Sequence, residues 1–149
     1  GYSSCSTQRR IKRLIMEEKI FELRKLKLLF VEDEDDLINI ITDTLNKLEA
    51  NFLTAQNGQE ALDLIEKNPD LDAVITDINM PIMNGLEMIK ILKETNPNLP
   101  IIIMSAHTEI EYIDKAKEYG VKDYLLKPFD FMKFIELITT MELNKNVNR

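Results

Sequence analysis

Short apolar runs alternate with amphipathic segments along most of the chain. The runs occupy residues 26–31, 51–55, 72–76, 100–105 and 122–126, and the first, third and fourth have apolar residues at consecutive positions rather than in alternation. Such runs are typical of parallel strands that are covered on both faces. Helical spacing follows each run, at residues 37–48, 61–68, 85–96, 108–120 and from about residue 130. The pattern predicts an α/β fold, a doubly wound five-stranded parallel sheet with five helices.

Turn and cap signals separate the predicted elements. Asn57-Gly58 and Asn84-Gly85 are typical of turns. Thr108 is placed to cap the fourth helix at its start, and Gly120 is placed to close its C-terminal end.

The first 26 residues have a different pattern. The stretch "RRIKRLIMEEKIFELRKLK" contains strong helix formers and no Gly or Pro, but its apolar positions keep no unbroken heptad register. We predict a single amphipathic helix over residues 1–26, a leader or linker that enters the first strand. It would join an upstream domain, bind a partner, or be partly foreign to a natural chain that starts at Met16. We expect residues 27–143 to form the domain and residues 144–149 to be a polar tail unsuited to a core.

Charge is unevenly distributed within the net −7 of the chain. Residues 1–27 carry eight Lys/Arg and three Asp/Glu, whereas residues 28–149 carry eleven and 23. The acidic body argues against nucleic-acid binding by the domain itself. The basic stretch could contact nucleic acid or a membrane surface, but is interpreted as a solvated helix face. No apolar run approaches the roughly 20 residues that span a membrane, and no signal peptide is recognisable. Together with the single Cys5, these features predict a cytoplasmic protein.

Polar side chains follow the predicted strands where each strand ends. Glu32 and Asp33 follow the first strand, Asp77 the third, Ser105 the fourth and Lys127 the fifth. The carboxyl ends of parallel strands meet at one edge of a sheet, so we expect these groups to converge. Clustered carboxylates need a cation, and an incomplete cage of oxygen ligands suits Mg²⁺. One carboxylate could then accept a phosphoryl group as an acyl phosphate.

Four stretches carry a resemblance to a known family. "LLFVEDEDDL", "VITDINMPIMNGLEMI", "IIIMSAH" and "DYLLKPF" resemble the receiver domain of two-component response regulators, over about residues 27–143. The resemblance implies a flavodoxin-like strand order 2-1-3-4-5 and a signalling role rather than an enzymatic one. A sensor histidine kinase or phosphotransfer protein would donate the phosphoryl group. The receiver would promote its own phosphorylation and later hydrolysis, and would regulate an output domain or protein, with a homodimer as one form of assembly.

The resemblance also implies the roles of the acids. Asp77 matches the phosphoacceptor, which shares a Mg²⁺ ion with its neighbours. Asp33 matches the direct metal ligand, and Glu32 the acid that acts through metal-bound water. The backbone carbonyl of Asn79 would complete the metal shell.

Further positions match the groups that hold the phosphoryl oxygens and transmit the switch. Ser105 and Lys127 match the hydroxyl and the ammonium that bind these oxygens, and the bond from Lys127 to the following proline is expected to be cis. Tyr124 matches the aromatic switch residue. Asn79 and His107 match rim positions beside the path of attacking water, and we hypothesise that this pair sets the lifetime of the aspartyl phosphate.

Two other functions fit parts of the pattern. A Mg²⁺-dependent phosphatase with an aspartyl nucleophile usually carries a second acid two residues later, where this chain has Asn79, and the length leaves no room for a cap domain. A degenerate receiver that only binds partners would lack Asp33, Asp77 or Lys127, and all three are present. The sequence leaves the cognate kinase, the output, the oligomeric state and the role of residues 1–26 open.

Overall fold

One parallel sheet organises the chain. The computed structural model describes residues 2–128 and 130–141, except for the side chains of residues 2–4 and 107. Within these residues the strands are β1 (Lys27–Val31), β2 (Asn51–Ala55), β3 (Ala73–Asp77), β4 (Ile101–Ser105) and β5 (Asp123–Leu126). Neighbouring strands pair in the order β2-β1-β3-β4-β5, always in parallel. The predicted fold and strand order are confirmed.

Helices cover both faces of this sheet. In the described residues they are α1 (Tyr2–Arg24), α2 (Asp35–Lys47), α3 (Gly58–Lys67), α4 (Gly85–Thr95), α5 (Ile110–Glu118) and α6 (Phe131–Thr140). Buried side chains of α1, α2 and α6 share one hydrophobic cluster, and those of α3, α4 and α5 share the other. None of these helices has the length and apolar character needed to cross a membrane.

Alternate residues of each central strand enter opposite clusters. Leu28 and Phe30 of β1 belong to the cluster with α6, where the rings of Phe30 and Phe134 pack edge-on with centroids 5.4 Å apart. Leu29 and Val31 belong to the other cluster. Every residue of β3 is buried, which explains the continuous apolar run. The strand β2 lies at the sheet edge and is buried only at its last residue, in agreement with its weaker pattern.

The leader forms the predicted helix and reaches the core with its last turns. Leu23 is fully buried, and Met16 and Ile20 pack against the same cluster as α6. The ammonium of Lys19 lies 3.8 Å from the carboxylate of Glu136 on α6. Residues 5–15 are exposed throughout. The C-terminal part of α1 therefore stabilises the domain, whereas its first turns stand clear of it.

The prediction that Thr108 caps the fourth helix is wrong. A 3₁₀ turn over His107–Glu109 precedes α5. The backbone N–H of Ala106 donates to the Glu109 carboxylate at 2.8 Å, and the Glu109 N–H donates to the Ala106 carbonyl at 3.0 Å. Because the Glu109 side chain satisfies the first free donor, the turn closes tightly before the α-helix begins. The end of α5 agrees with the prediction, since Gly120 follows the helix with a φ of +90°.

Candidate functional site

Three carboxylates meet where β1 and β3 end. Oxygen atoms of Glu32, Asp33 and Asp77 all lie within 4.8 Å of one another. Glu32 and Asp77 are buried and Asp33 is exposed. The two strands are hydrogen-bonded neighbours at the centre of the sheet, so the backbone ladder fixes the spacing of the acids. The structure thus brings together the acids that the strand ends predicted.

Lys127 brings a positive charge between two of these acids. Its Nζ atom lies 3.1 Å from Oε1 of Glu32 and 3.2 Å from Oδ2 of Asp77. Lys127 follows β5, and its N–H donates to the carbonyl of Ser105 at 2.8 Å, which ties it to the end of β4. The peptide bond to Pro128 is cis, as expected. A residue that follows the edge strand β5 thus contacts the acids at the ends of both β1 and β3.

Backbone donors satisfy the remaining oxygens of the buried acids. Oε2 of Glu32 accepts hydrogen bonds from the N–H groups of Asp33 at 3.0 Å and Glu34 at 3.2 Å. Oδ1 of Asp77 accepts from the N–H of Ile78 at 2.8 Å. Fixed donors of this kind make burial of a carboxylate tolerable, and they hold each side chain in one orientation.

The environment shifts the pKa of two groups in this cluster. Burial, followed by the charge of Asp77, raises the pKa of Glu32 from 4.5 to about 7, although the Glu34 N–H and Lys127 oppose the shift. Burial of the Lys127 ammonium disfavours its charged form, but the two carboxylates outweigh that effect and raise its pKa above the usual value. Lys127 is therefore a permanent cation, whereas Glu32 titrates near neutral pH.

The start of α4 packs directly beneath the central acid. The N–H of Gly85 donates to the carbonyl of Ile78 at 2.7 Å, and a Cβ atom at position 85 would collide with the carbonyl oxygen of Asp77. Asn84 caps the helix by accepting from the N–H of Glu87 at 2.9 Å. The Asn84-Gly85 pair therefore begins a helix and allows it to approach Asp77.

The remaining predicted site residues lie on β4 and β5 or in the segments that follow β3 and β4. Ser105 is buried at the end of β4, and its hydroxyl donates to the carbonyl of Ala106 at 3.1 Å. Tyr124 is 45% exposed on the edge strand β5. Asn79 is exposed beyond β3. The side chain of His107 lies outside the described residues.

One residue that bonds to the loops after β3 and β4 was not predicted from the sequence. The carboxylate of Glu109 accepts from Nδ2 of Asn79 at 2.6 Å and from the N–H of Ala106 at 2.8 Å. It therefore joins the loop after β3 to the loop after β4. An acid four residues after Ser105 looks like an ordinary solvated helix residue, and no sequence signal distinguishes it.

The donor set fits a hard divalent cation. Three carboxylates offer oxygen atoms at one point, and the exposed Asp33 leaves one side of the cluster open to solvent. Mg²⁺ is held in proteins by a few carboxylates while it keeps several waters. A single lysine does not neutralise three acids, so a cation would relieve the remaining repulsion.

Comparison with known proteins gives consistent matches. The family model described as response regulator receiver domain matches residues 28–139. The chemotaxis protein CheY homolog of Campylobacter jejuni is 39% identical over 107 residues, which cover 70% of this chain and 82% of that protein. A receiver domain protein from Clostridium thermocellum superposes with a TM-score of 0.71 at 28% identity, over 76% of this chain and 90% of the other.

A further solved structure contains ligands. A chain of the CheX-CheY-BeF₃-Mg²⁺ complex from Borrelia burgdorferi superposes with a TM-score of 0.70 at 26% identity. The match covers 77% of this chain and 87% of that one.

Proposed function

The chain belongs to the response regulator receiver domain family, and on this premise we propose that Asp77 is the residue that receives the signal. Asp77 accepts a phosphoryl group from the phosphohistidine of a sensor kinase or phosphotransfer protein. A carboxylate oxygen of Asp77 attacks phosphorus, the P–N bond breaks, and the imidazole leaves with its electron pair and takes up a proton. Hydrolysis of the acyl phosphate later restores the carboxylate and releases phosphate.

One observation carries this proposal above the others. Asp77 lies at the end of the central strand with one oxygen held by the Ile78 N–H and the other 3.2 Å from the Lys127 ammonium. The carboxylate is thus oriented before any donor arrives, and the lysine is in place to stabilise negative charge on the transferred group. Positioning and charge neutralisation are the main contributions that proteins make to phosphoryl transfer.

The acids beside Asp77 support a metal role. Glu32, Asp33 and Asp77, with the backbone carbonyl of Asn79, would hold Mg²⁺. The ion would neutralise charge on the phosphoryl oxygens. The chain's own part is to keep Glu32 fixed through the N–H groups of Asp33 and Glu34, so that its second oxygen faces the cluster.

Phosphorylation would act on Ser105 and Tyr124. The Ser105 hydroxyl leaves the Ala106 carbonyl and donates to a phosphoryl oxygen, and Tyr124 moves inward from its half-exposed position. The surface formed by α5, β5 and α6 changes as a result. The domain then exists in a two-state equilibrium, and an output partner distinguishes the two states by this surface.

The exposed, unpaired Cys5 is compatible with a reducing cytoplasm, where we place the protein.

Asn79 and His107 would set the lifetime of the phosphorylated form. Both follow a site residue by two positions, on the two loops that border Asp77. Removing the imidazole in His107→Ala should change the first-order rate of dephosphorylation, measured after the donor is removed. An unchanged rate would contradict this role.

Mass spectrometry tests the central proposal. Protein incubated with acetyl phosphate and Mg²⁺ should gain about 80 Da, the mass of one phosphoryl group. The adduct should be absent in Asp77→Asn and present in Asp43→Asn, which makes the same change at an exposed acid on α2. A wild-type protein without the adduct would instead support a degenerate receiver, and rapid turnover without an adduct would support a phosphatase.

A further inference from the structure

The Glu109 carboxylate connects the two loops that border Asp77. Asn79, on the loop after β3, donates from Nδ2 to Oε2 of Glu109 at 2.6 Å. Ala106, directly after β4, donates from its N–H to Oε1 at 2.8 Å. Each carboxylate oxygen therefore holds one loop. We call these two hydrogen bonds the Glu109 bridge.

The Glu109 bridge also fixes the residue to which Ser105 is bonded. The Glu109 N–H donates to the Ala106 carbonyl at 3.0 Å, and the Ser105 hydroxyl donates to the same carbonyl at 3.1 Å. In this arrangement the hydroxyl is bonded to the carbonyl of the next residue, while the described bonds to the Asp77 carboxylate come from Ile78 and Lys127. The arrangement is a resting one for Ser105.

A purely local explanation accounts for half of the Glu109 bridge. The bond to the Ala106 N–H caps the short turn that precedes α5. The bond to Asn79 has no part in capping, since it joins residues 30 positions apart in the chain. A capping acid could leave its second oxygen in water, whereas Glu109 uses it to hold the loop that follows the phosphoacceptor.

We propose that the Glu109 bridge is a restraint on activation. The proposal rests on the function proposed above for Asp77 and Ser105. When Asp77 carries a phosphoryl group, the Ser105 loop closes on it, and the Glu109 bridge opens. An interaction made in only one of two states biases the equilibrium toward that state. Glu109 is therefore a positioning residue that lowers the response to a given amount of phosphodonor.

The affinity for beryllofluoride with Mg²⁺ measures the bias toward the state with the Glu109 bridge closed, without turnover. The dissociation constant would be determined by ¹H–¹⁵N NMR titration for the wild type, Glu109→Ala and Glu111→Ala, an exposed acid two residues further along the chain. Loss of the bond between Glu109 and Asn79 should tighten binding about fivefold, the factor that corresponds to one net hydrogen bond. Glu111→Ala should stay within about twofold, because it changes the local charge equally but breaks no described bond. A merely structural role would weaken binding or leave it unchanged.

A double-mutant cycle separates the Glu109 bridge from the charge of Glu109. Asn79→Ala breaks the same connection and keeps the carboxylate. If the two side chains act through one bond, Asn79→Ala should also tighten binding, and the double variant should resemble Glu109→Ala alone. Additive effects, or a weaker affinity in either single variant, would overturn the proposal.

Amide hydrogen exchange of Ala106 in the absence of ligand is an independent test of the Glu109 bridge. Exchange should be faster in Glu109→Ala and in Asn79→Ala than in the wild type, and unchanged in Glu111→Ala. Unaltered exchange in Asn79→Ala would overturn the proposal even if the affinities changed. A wild-type protein that binds no beryllofluoride would contradict the function proposed for Asp77, while the exchange rates would still decide whether the loops are joined.

Discussion

The buried carboxyl group of Glu32 should make Mg²⁺ binding depend on pH. Burial, with the neighbouring charge of Asp77, raises its pKa to about 7. A metal ion binds the ionised carboxylate, so a proton on Glu32 competes with Mg²⁺. Most carboxylate sites are fully ionised well below neutral pH, and their affinity for metal is then constant between pH 6 and pH 8.

The size of the effect follows from the pKa. With a value of about 7, the protonated form of Glu32 exceeds the ionised form about tenfold at pH 6 and is about a tenth of it at pH 8. The apparent dissociation constant for Mg²⁺ should therefore be about tenfold higher at pH 6 than at pH 8. Binding at pH 7 should release about half a proton per ion.

Calorimetric titration at three pH values gives both quantities. Repeating each titration in two buffers of different ionisation enthalpy yields the number of protons released. Glu32→Gln keeps the shape of the side chain and removes the titrating group, so its weaker binding should be nearly independent of pH. A wild-type affinity that changes less than about twofold between pH 6 and pH 8 would refute the reasoning, as would an equal pH dependence in Glu32→Gln.

The same pKa predicts how the metal-free protein responds to pH. Folding raises the pKa of Glu32 from 4.5 to about 7. Between these two pH values the folded protein therefore holds a proton that the unfolded chain releases. This contribution to stability is complete below pH 4.5 and is lost as the pH rises through about 7, by up to roughly 3 kcal/mol. The melting temperature without Mg²⁺ should accordingly fall between pH 5 and pH 8, and Mg²⁺ should raise it most at pH 8.

Three substitutions test other parts of the structure. Lys127→Ala leaves two adjacent carboxylates without their cation, so urea unfolding at pH 8 should show a free energy of unfolding that is lower by roughly 3 kcal/mol. Mg²⁺ should restore part of this loss, and a loss unaffected by Mg²⁺ would contradict the electrostatic cause. Gly85→Ala places a methyl group against the carbonyl of Asp77 and should cost about 1–3 kcal/mol together with slower phosphorylation; an unchanged rate would show that the loop adjusts freely. Leu23→Ala empties a buried position on α1 and should cost about 2–5 kcal/mol, whereas Leu14→Ala, on the exposed turns, should stay within about 0.5 kcal/mol; equal losses would contradict the division of this helix.

The central sheet could be predicted because strands that are buried on both faces have consecutive apolar residues, a pattern that is visible within a few positions of the sequence. The strands β1, β3 and β4 carry consecutive apolar residues, and a polar group that ends or follows each strand is brought to one edge by the topology. Glu32, Asp33, Asp77 and Lys127 therefore lie together as the strand ends indicated. The pattern contained this information because the position of a strand end depends on the ladder rather than on any particular side-chain contact.

Contacts between distant loops could not be predicted in this way. The Glu109 bridge depends on the angle at which the chain leaves β4, and that angle comes from a 3₁₀ turn that the sequence did not distinguish from the helix behind it. The burial of Leu23 likewise depends on where α1 meets α6, which the periodicity of either helix alone does not determine. Prediction failed where two elements meet through side chains rather than through a backbone ladder.

The site divides into groups that the sheet fixes and groups that loops hold. Glu32 and Asp77 are buried at the ends of central strands, and backbone N–H groups hold their oxygens. The Ser105 hydroxyl donates to the carbonyl of Ala106, and the Glu109 carboxylate accepts from Ala106 and Asn79, so the loops are held by side-chain hydrogen bonds that can be exchanged. Because the oxygens of the acids are held by backbone donors, a change of charge at this centre is met more readily by an exchange of hydrogen bonds in the loops than by movement of the acids. Substitutions in the fixed group should abolish or weaken phosphorylation, whereas substitutions in the loops should shift the balance between resting and active forms while Asp77 still accepts the phosphoryl group.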